Sequence, residues 1–76
     1  MKMKDFALGS RLRICGYDTV DRGYRQKLLR MGLIRGAVFT LTRRAPMGDP
    51  LEISLNGSNL SLRKHEADAL KVEVDR

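Results

Sequence analysis

The chain has 76 residues, of which 15 are Lys or Arg and 9 are Asp or Glu, so its formal net charge is +6. This length predicts a single domain over residues 1–76 and excludes a multidomain enzyme. Hydrophobic residues make up 42% of the chain, which indicates a folded protein, because disordered chains lack the apolar side chains of a core. The single cysteine, Cys15, excludes a disulfide within the chain.

The positive charge is concentrated in the first part of the sequence. Residues 1–44 contain 11 Lys or Arg and 3 Asp or Glu, whereas residues 45–76 contain 4 and 6. A basic region indicates an acidic partner, namely a nucleic acid, an anionic membrane surface or an acidic protein. A solvated face that only keeps the protein soluble explains the same charge, and the composition leaves both explanations open.

Apolar runs in the sequence are short. The longest stretch without a charged residue is 53–62, whereas a membrane-spanning helix needs about 20 mostly apolar residues. The residues that follow Lys2 and Lys4 are too few for the apolar region of a signal peptide, which needs about 7–15 residues. We therefore expect a soluble, cytoplasmic protein.

The first predicted element is a strand around Leu12 and Ile14. These residues alternate with Arg11, Arg13 and Cys15, which is the period of two expected for a strand with one buried face. We expect Cys15 to be a partly covered residue of this strand.

One helix is predicted at about 22–31. Tyr24, Leu28 and Met31 recur at i, i+4 and i+7 and so form one inward stripe. Three preceding residues are candidates for the N-terminal cap, namely Asp18, Thr19 and Asp21.

Glycines mark the end of this helix and the start of the next strand. Gly32 suits the left-handed position after a helix and would let Leu33 pack back on Leu28, as in a Schellman motif. Gly36 suits the entry to a second strand over 37–42, where apolar residues again alternate.

The loop after the second strand has the sequence APMGDP at 45–50. Its prolines fix φ, Gly48 permits a positive φ, and the Asp49 side chain can accept hydrogen bonds from nearby backbone amides. These features predict a stiff loop. It is either a well-formed turn or a preorganised partner contact with Met47 as its apolar tip.

The strongest structural signal is a hairpin over 51–62. Apolar residues alternate with polar ones on both sides of Asn56-Gly57, the preferred pair for a type I′ turn. This turn predicts the register of the two strands, which pairs Leu55 with Ser58, Ile53 with Leu60, Leu51 with Leu62 and Glu52 with Ser61.

A short helical turn is predicted at 64–68, and a last strand at 70–74, where Leu70, Val72 and Val74 alternate with Lys71 and Glu73. Five short strands with Gly and Pro between them predict a mainly β fold, a small five-stranded antiparallel barrel with one inserted helix.

Motifs for catalysis or cofactor binding are missing from the sequence. Neither a phosphate-binding glycine loop nor a pair of closely spaced Cys or His ligands occurs, so no catalytic, cofactor-binding or metal-binding residue is predicted. We expect His65 to be exposed in a turn. A site for an adventitious ion built from His65, Glu66 or Asp68 stays open.

Three stretches resemble the FeoA family, the small cytosolic proteins of bacterial ferrous-iron transport. They are YRQKLLRMGLIRG at 24–36, APMGDP at 45–50 and GSNLSLR at 57–63. The resemblance extends over about residues 8–74. It implies an SH3-like barrel and a non-enzymatic accessory or regulator of FeoB, the membrane transporter that carries a cytosolic GTPase domain.

Partner contacts are predicted at the helix end and the stiff loop. The exposed aromatic side chains that line proline-peptide grooves are almost absent, so other chemistry must bind the partner. The predicted contact residues are Arg25, Leu29, Arg30, Met31, Leu33, Met47 and Asp49. Self-association through the apolar residues near the helix end also stays open.

Two alternative functions remain at this point. Small basic β-barrels commonly bind nucleic acid, although few aromatic residues are available here for base stacking. Direct iron carriage would need a ligand set that the sequence does not display.

Overall fold

The computed structural model describes residues 3, 6–18, 21–47 and 49–75. Along the chain the elements are β1 (Arg11–Tyr17), α1 (Arg22–Arg30), β2 (Val38–Arg44), β3 (Leu51–Leu55), β4 (Ser58–Leu62), α2 (Lys64–Asp68) and β5 (Leu70–Val74). The predicted mainly β architecture, with an inserted helix and a helical turn before the last strand, is confirmed. The second strand is longer than predicted, because it continues through Arg44.

The five strands form one antiparallel sheet in the order β4-β3-β2-β1-β5. The register shifts between Ile14 and Gly16 in β1 and between Leu41 and Arg43 in β2. Such irregularities bend strands and increase their twist, which helps a small sheet to curl around a core.

The β3–β4 hairpin has the predicted register. Leu55 lies opposite Ser58, Ile53 opposite Leu60, Leu51 opposite Leu62 and Glu52 opposite Ser61. Asn56 and Gly57 have φ values of 52° and 81°, so both turn residues adopt the positive φ that a type I′ turn requires. Local turn chemistry and apolar alternation therefore determine this part of the fold.

The two ends of α1 are capped by their own sequence. The Asp21 side chain accepts a hydrogen bond of 3.2 Å from the Tyr24 amide, which makes Asp21 the N-cap. Of the two other candidates, Asp18 lies outside the cap and Thr19 outside the described residues.

At the C-terminal end, the amide of Leu33 donates to the Leu28 carbonyl at 3.1 Å, and that of Gly32 to the Leu29 carbonyl at 3.0 Å. Gly32 has a φ of 90°, so the predicted Schellman motif is confirmed.

The core lies on the inner face of the curled sheet, and α1 contributes Leu28 to it. Phe39 is 2% exposed, and Leu12, Ile14, Leu28 and Leu33 are fully buried. Met3 is also fully buried, although no periodic pattern in the sequence marks it as a core residue. In the part of the chain that the structure describes, no helix has the length and apolar character needed to cross a membrane.

The predicted partial cover of Cys15 is wrong. Its thiol group lies on the exposed face of β1, where Sγ donates to the Lys71 carbonyl at 3.3 Å. Leu12, Ile14 and Gly16 take the buried positions of this strand, so Cys15 between them faces solvent.

Candidate functional site

The loop at residues 45–50, which we call the proline loop, is fixed at both of its ends. The Ala45 amide donates to the Pro50 carbonyl at 3.1 Å and closes the base of the loop. Asp49, whose peptide bond to Pro50 is cis, accepts a hydrogen bond of 2.8 Å at Oδ1 from the Lys64 amide. The predicted backbone contact of Asp49 therefore reaches an amide 15 residues away rather than a neighbouring one.

Met47 projects from this anchored loop. Its side chain is 91% exposed, which is the highest value among the large exposed hydrophobic residues of the described chain. The expected positive φ of Gly48 falls outside the described residues. An apolar side chain held out by a loop with fixed ends suits a partner contact, because less conformational entropy is lost on binding.

A pocket of about 450 Å³ opens at the base of the proline loop. Its lining combines two cations, one carboxylate and the ring of each proline, contributed by Arg43, Arg44, Ala45, Pro46, Pro50 and Glu52. Nη2 of Arg44 donates to the Phe6 carbonyl at 2.9 Å, which ties this wall of the pocket to the chain that precedes β1. A partner side chain that enters this pocket would contact both apolar and charged groups.

The short helix α2 connects the proline loop with α1. Its first residue, Lys64, binds Asp49, and its third residue, Glu66, forms an ion pair with Lys27 of α1 at 3.2 Å. The rings of His65 and Tyr24 lie 5.8 Å apart between their centroids. The loop, α2 and one flank of α1 therefore form a continuous surface, which we call the loop–helix surface.

Glu66 is the buried charged residue of this surface, with 5% exposure. Burial alone would raise the pKa of its carboxyl group. The Arg63 amide, which donates to Oε1 at 2.9 Å, and the Lys27 ammonium at Oε2 outweigh burial, so the pKa lies below its usual value. Glu66 therefore remains ionised at neutral pH and joins α2 to α1.

Tyr24 has a buried hydroxyl group on the same flank. Among the described residues this oxygen has no hydrogen-bond partner. Burial raises the pKa of the phenol, and the nearby Glu66 carboxylate raises it further. The Tyr24 ring therefore packs as an uncharged group between α1 and α2.

The residues predicted for partner binding differ in their exposure to solvent. Arg25, Arg30, Met47 and Asp49 are exposed, and Leu29 and Met31 are half-buried. The prediction that Leu33 lies on the surface is wrong, since its side chain is fully buried in the core. The Schellman motif that places Gly32 also turns the chain inward at Leu33, which explains this burial.

Arg25 also lies apart from the proline loop. Its guanidinium carbon is 5.5 Å from the centre of the Tyr17 ring, beside the end of β1. Lys27, two positions further on, faces α2 instead, because successive helical residues are rotated by about 100°. The predicted contact residue Arg25 therefore lies on the flank of α1 that faces Tyr17, away from the flank that contacts α2.

Sequence reasoning missed the contribution of α2 to this surface. The spacing Arg63-x-x-Glu66 resembles a capping box, in which a glutamate at the third helical position binds the backbone amide of the residue before the helix. That spacing could have identified Glu66 as a local anchor. The contacts of α2 with Asp49 and Lys27 span larger distances in the sequence and required the structure.

No group of three His, Cys, Asp or Glu side chains suited to a metal ion occurs within residues 3, 6–18, 21–47 and 49–75. His65 is exposed, as predicted, and contacts Tyr24.

The fold and this surface define a small SH3-like domain with an anchored, exposed loop. The FeoA domain family matches residues 1–74, and the chain belongs to this family. The predicted family resemblance is thereby confirmed.

Individual relatives agree with this assignment. The FeoA-like protein of Clostridium acetobutylicum is 35% identical, with a TM-score of 0.86 over 97% of this chain and 85% of that one. The FeoA of Stenotrophomonas maltophilia, described as a prokaryotic SH3 domain protein complexed with zinc, is 18% identical, and its TM-score of 0.79 covers 96% of this chain and 89% of that one. At that identity it shows the fold alone.

One relative is a fusion protein. The chain is 33% identical over 51 residues to the Fe(2+) transport protein A/Fe(2+) transporter FeoB fusion protein of Porphyromonas gingivalis. The match covers 67% of this chain and 6% of the length of the fusion protein.

Proposed function

We propose that this protein is a non-enzymatic accessory of bacterial ferrous-iron uptake that docks on the cytosolic region of a FeoB-type transporter. The observation that carries this proposal is the fusion relative, in which a FeoA part and a FeoB part share one polypeptide. Fusion keeps two domains at a high effective concentration, which benefits a weak and regulated contact between them.

The loop–helix surface is the part of the chain best suited to this contact. It presents the exposed Met47 beside a pocket of about 450 Å³, on a loop that Asp49 fixes to α2. An exposed apolar side chain beside a pocket with charged walls supplies both the apolar centre and the polar rim typical of protein interfaces. In this proposal the protein acts by binding its partner and catalyses no reaction. The contact takes place in the cytoplasm, at the inner face of the membrane.

Nucleic-acid binding receives less support from the structure. All four aromatic residues are described, and none of them is exposed: Phe39 is buried, while Phe6, Tyr17 and Tyr24 are half-buried. Proteins that bind single strands stack bases on exposed aromatic rings. The positive charge is therefore better explained by contacts with proteins or with a membrane surface.

The proposal is tested by calorimetric titration of the protein with the cytosolic region of the FeoB-type transporter from the same organism. The titration is carried out without nucleotide and with a non-hydrolysable GTP analogue, and an unrelated small GTPase is the control. We expect saturable one-to-one binding to the transporter region in at least one nucleotide state. Equal binding to the unrelated GTPase, or none to the transporter region in either state, would contradict the proposal.

A further inference from the structure

A second surface surrounds the end of β1, where three cationic side chains lie close together. A Cβ atom placed on Gly16 would lie 3.8 Å from Cδ of Lys71 and 3.9 Å from Nη2 of Arg35, so both cationic side chains cover this glycine. Next to it, the Arg25 guanidinium carbon lies 5.5 Å from the centre of the Tyr17 ring. We call Arg25, Arg35 and Lys71 the basic patch.

Ion pairing distinguishes the basic patch from the start of β1. None of its three cations forms an ion pair there, whereas earlier positions of β1 are neutralised by β5 and the residue after it. Arg11 pairs with Asp75 at 3.1 Å and Arg13 with Glu73 at 3.3 Å. The outer surface of these strands therefore changes from paired charges at one end to free positive charge at the other.

An exposed apolar side chain adjoins the cations. Ile34 is 51% exposed and directly precedes Arg35. Its position is fixed, because the Tyr17 hydroxyl group donates to the Leu33 carbonyl at 2.6 Å and the Gly36 amide donates to the Ile14 carbonyl at 2.7 Å. Apolar side chains next to Lys and Arg are typical of protein surfaces that bind anionic bilayers.

We propose that the basic patch and Ile34 bind the anionic headgroup surface of a lipid bilayer. The cations come from α1, the α1–β2 connection and β5, and they surround Gly16, which has no side chain. Such an arrangement suits a broad anionic surface better than a single acidic peptide, which would need a groove.

The expected binding of the basic patch to the bilayer is weak. Each cation near an anionic surface strengthens binding roughly fivefold, and the exposed Asp18 beside the patch reduces the total. A weak contact of this kind orients a protein that another contact holds at the membrane. The inference does not depend on the proposed function, since it concerns the chain alone and a different surface.

The test is sedimentation of the purified protein with vesicles of phosphatidylcholine alone or mixed with phosphatidylglycerol, at low salt and at roughly physiological ionic strength. We expect binding to the anionic vesicles at low salt, weaker binding at higher salt and none to phosphatidylcholine. Arg35→Gln with Lys71→Gln should reduce binding at least about tenfold, since two cations are lost. Failure of the wild-type protein to sediment with anionic vesicles at low salt would overturn the inference.

Two matched controls separate a defined surface from net charge. Arg43→Gln with Arg63→Gln lowers the net charge from +6 to +4, as the first double variant does, but removes cations elsewhere. Ile34→Ser is compared with Leu8→Ser, because both residues are 51% exposed. Equal losses in each pair would show that only overall charge or hydrophobicity matters and would overturn the inference. Stronger binding to an acidic polypeptide, such as polyglutamate, than to the vesicles would also overturn the inference.

Discussion

Asp49 and Lys64 connect two parts of the chain that the sequence separates by 15 residues. Oδ1 of Asp49 accepts the Lys64 amide at 2.8 Å, so the aspartate of the proline loop satisfies an amide at the start of α2. This bond fixes the position of the loop relative to the helix. For the proposed docking surface, we therefore expect Asp49 to act by holding the loop that carries Met47.

Replacing Asp49 tests this role. Asp49→Ala removes the acceptor, and we expect the free energy of unfolding to fall by about 1 kcal/mol, the usual contribution of such a bond. Asp49→Asn keeps an acceptor oxygen and should retain most of the stability. Urea denaturation of both variants measures the difference. Wild-type stability in Asp49→Ala would contradict an anchoring role.

Glu66 should make stability depend on pH in the acidic range. Its pKa in the folded state is lowered, because the Arg63 amide and Lys27 outweigh its burial. An unfolded glutamate has a pKa of about 4.3, so the unfolded chain takes up the proton first as the pH falls. The stabilisation is therefore complete above about pH 4.3 and is lost as the pH falls toward the folded-state value.

The variant Glu66→Gln isolates this contribution from that of other carboxylates. At neutral pH it should be less stable than the wild type by about 1 kcal/mol, and the difference should shrink as the pH approaches 3. Thermal unfolding between pH 7 and pH 3 measures the difference, with Glu73→Gln in an exposed pair as the control. A difference that stays constant over this range would contradict the assignment.

Replacing Met47 should weaken partner binding while leaving the stability of the fold almost unchanged. Because its side chain is 91% exposed, Met47→Ser should change the free energy of unfolding by less than about 0.5 kcal/mol. If Met47 is the apolar centre of the interface, the same variant should weaken binding to the transporter region at least about tenfold. Val74→Thr, at a residue 45% exposed on β5, serves as the control and should bind as the wild type does. Equal affinity of Met47→Ser and wild type would exclude Met47 from the interface.

Leu33 should behave as a core residue. Leu33→Ala leaves a cavity at a fully buried position, so we expect a loss of about 2–5 kcal/mol in the free energy of unfolding. Leu29→Ala, at a half-buried position of α1, should cost clearly less. Chemical denaturation of both variants provides the comparison. Equal losses would show that the helix end packs differently from the structure described above.

Those parts of the fold that depend on neighbouring residues could be predicted from the sequence. Asn56-Gly57 specifies a turn whose residues must adopt positive φ, and the apolar alternation around it then leaves one register. Gly32 likewise ends α1, because its amide and that of Leu33 donate to carbonyl groups of the last helical turn. In both cases the interacting groups are close in sequence, so residue type and spacing contain the information.

The candidate site could be predicted only in part, because its contacts are long-range. The composition of the proline loop indicated a stiff segment with an exposed Met47, and its exposure agrees. The contact of Asp49 with Lys64 and that of Lys27 with Glu66 depend on how α2 packs between the loop and α1. The burial of Leu33 agrees with the Schellman motif predicted from Gly32, and that motif conflicts with the prediction of Leu33 as a partner contact.

Docking through the loop–helix surface is tested most directly by NMR spectroscopy of the isotope-labelled protein with the cytosolic region of the transporter. We predict that the backbone amide signals of Met47, Asp49, Lys64 and His65 shift or broaden most as the partner is added. The amides of Arg13 and Glu73, on the β1–β5 side, should change least. Changes confined to the β1–β5 side, or unchanged signals at a saturating concentration of the partner, would contradict the account.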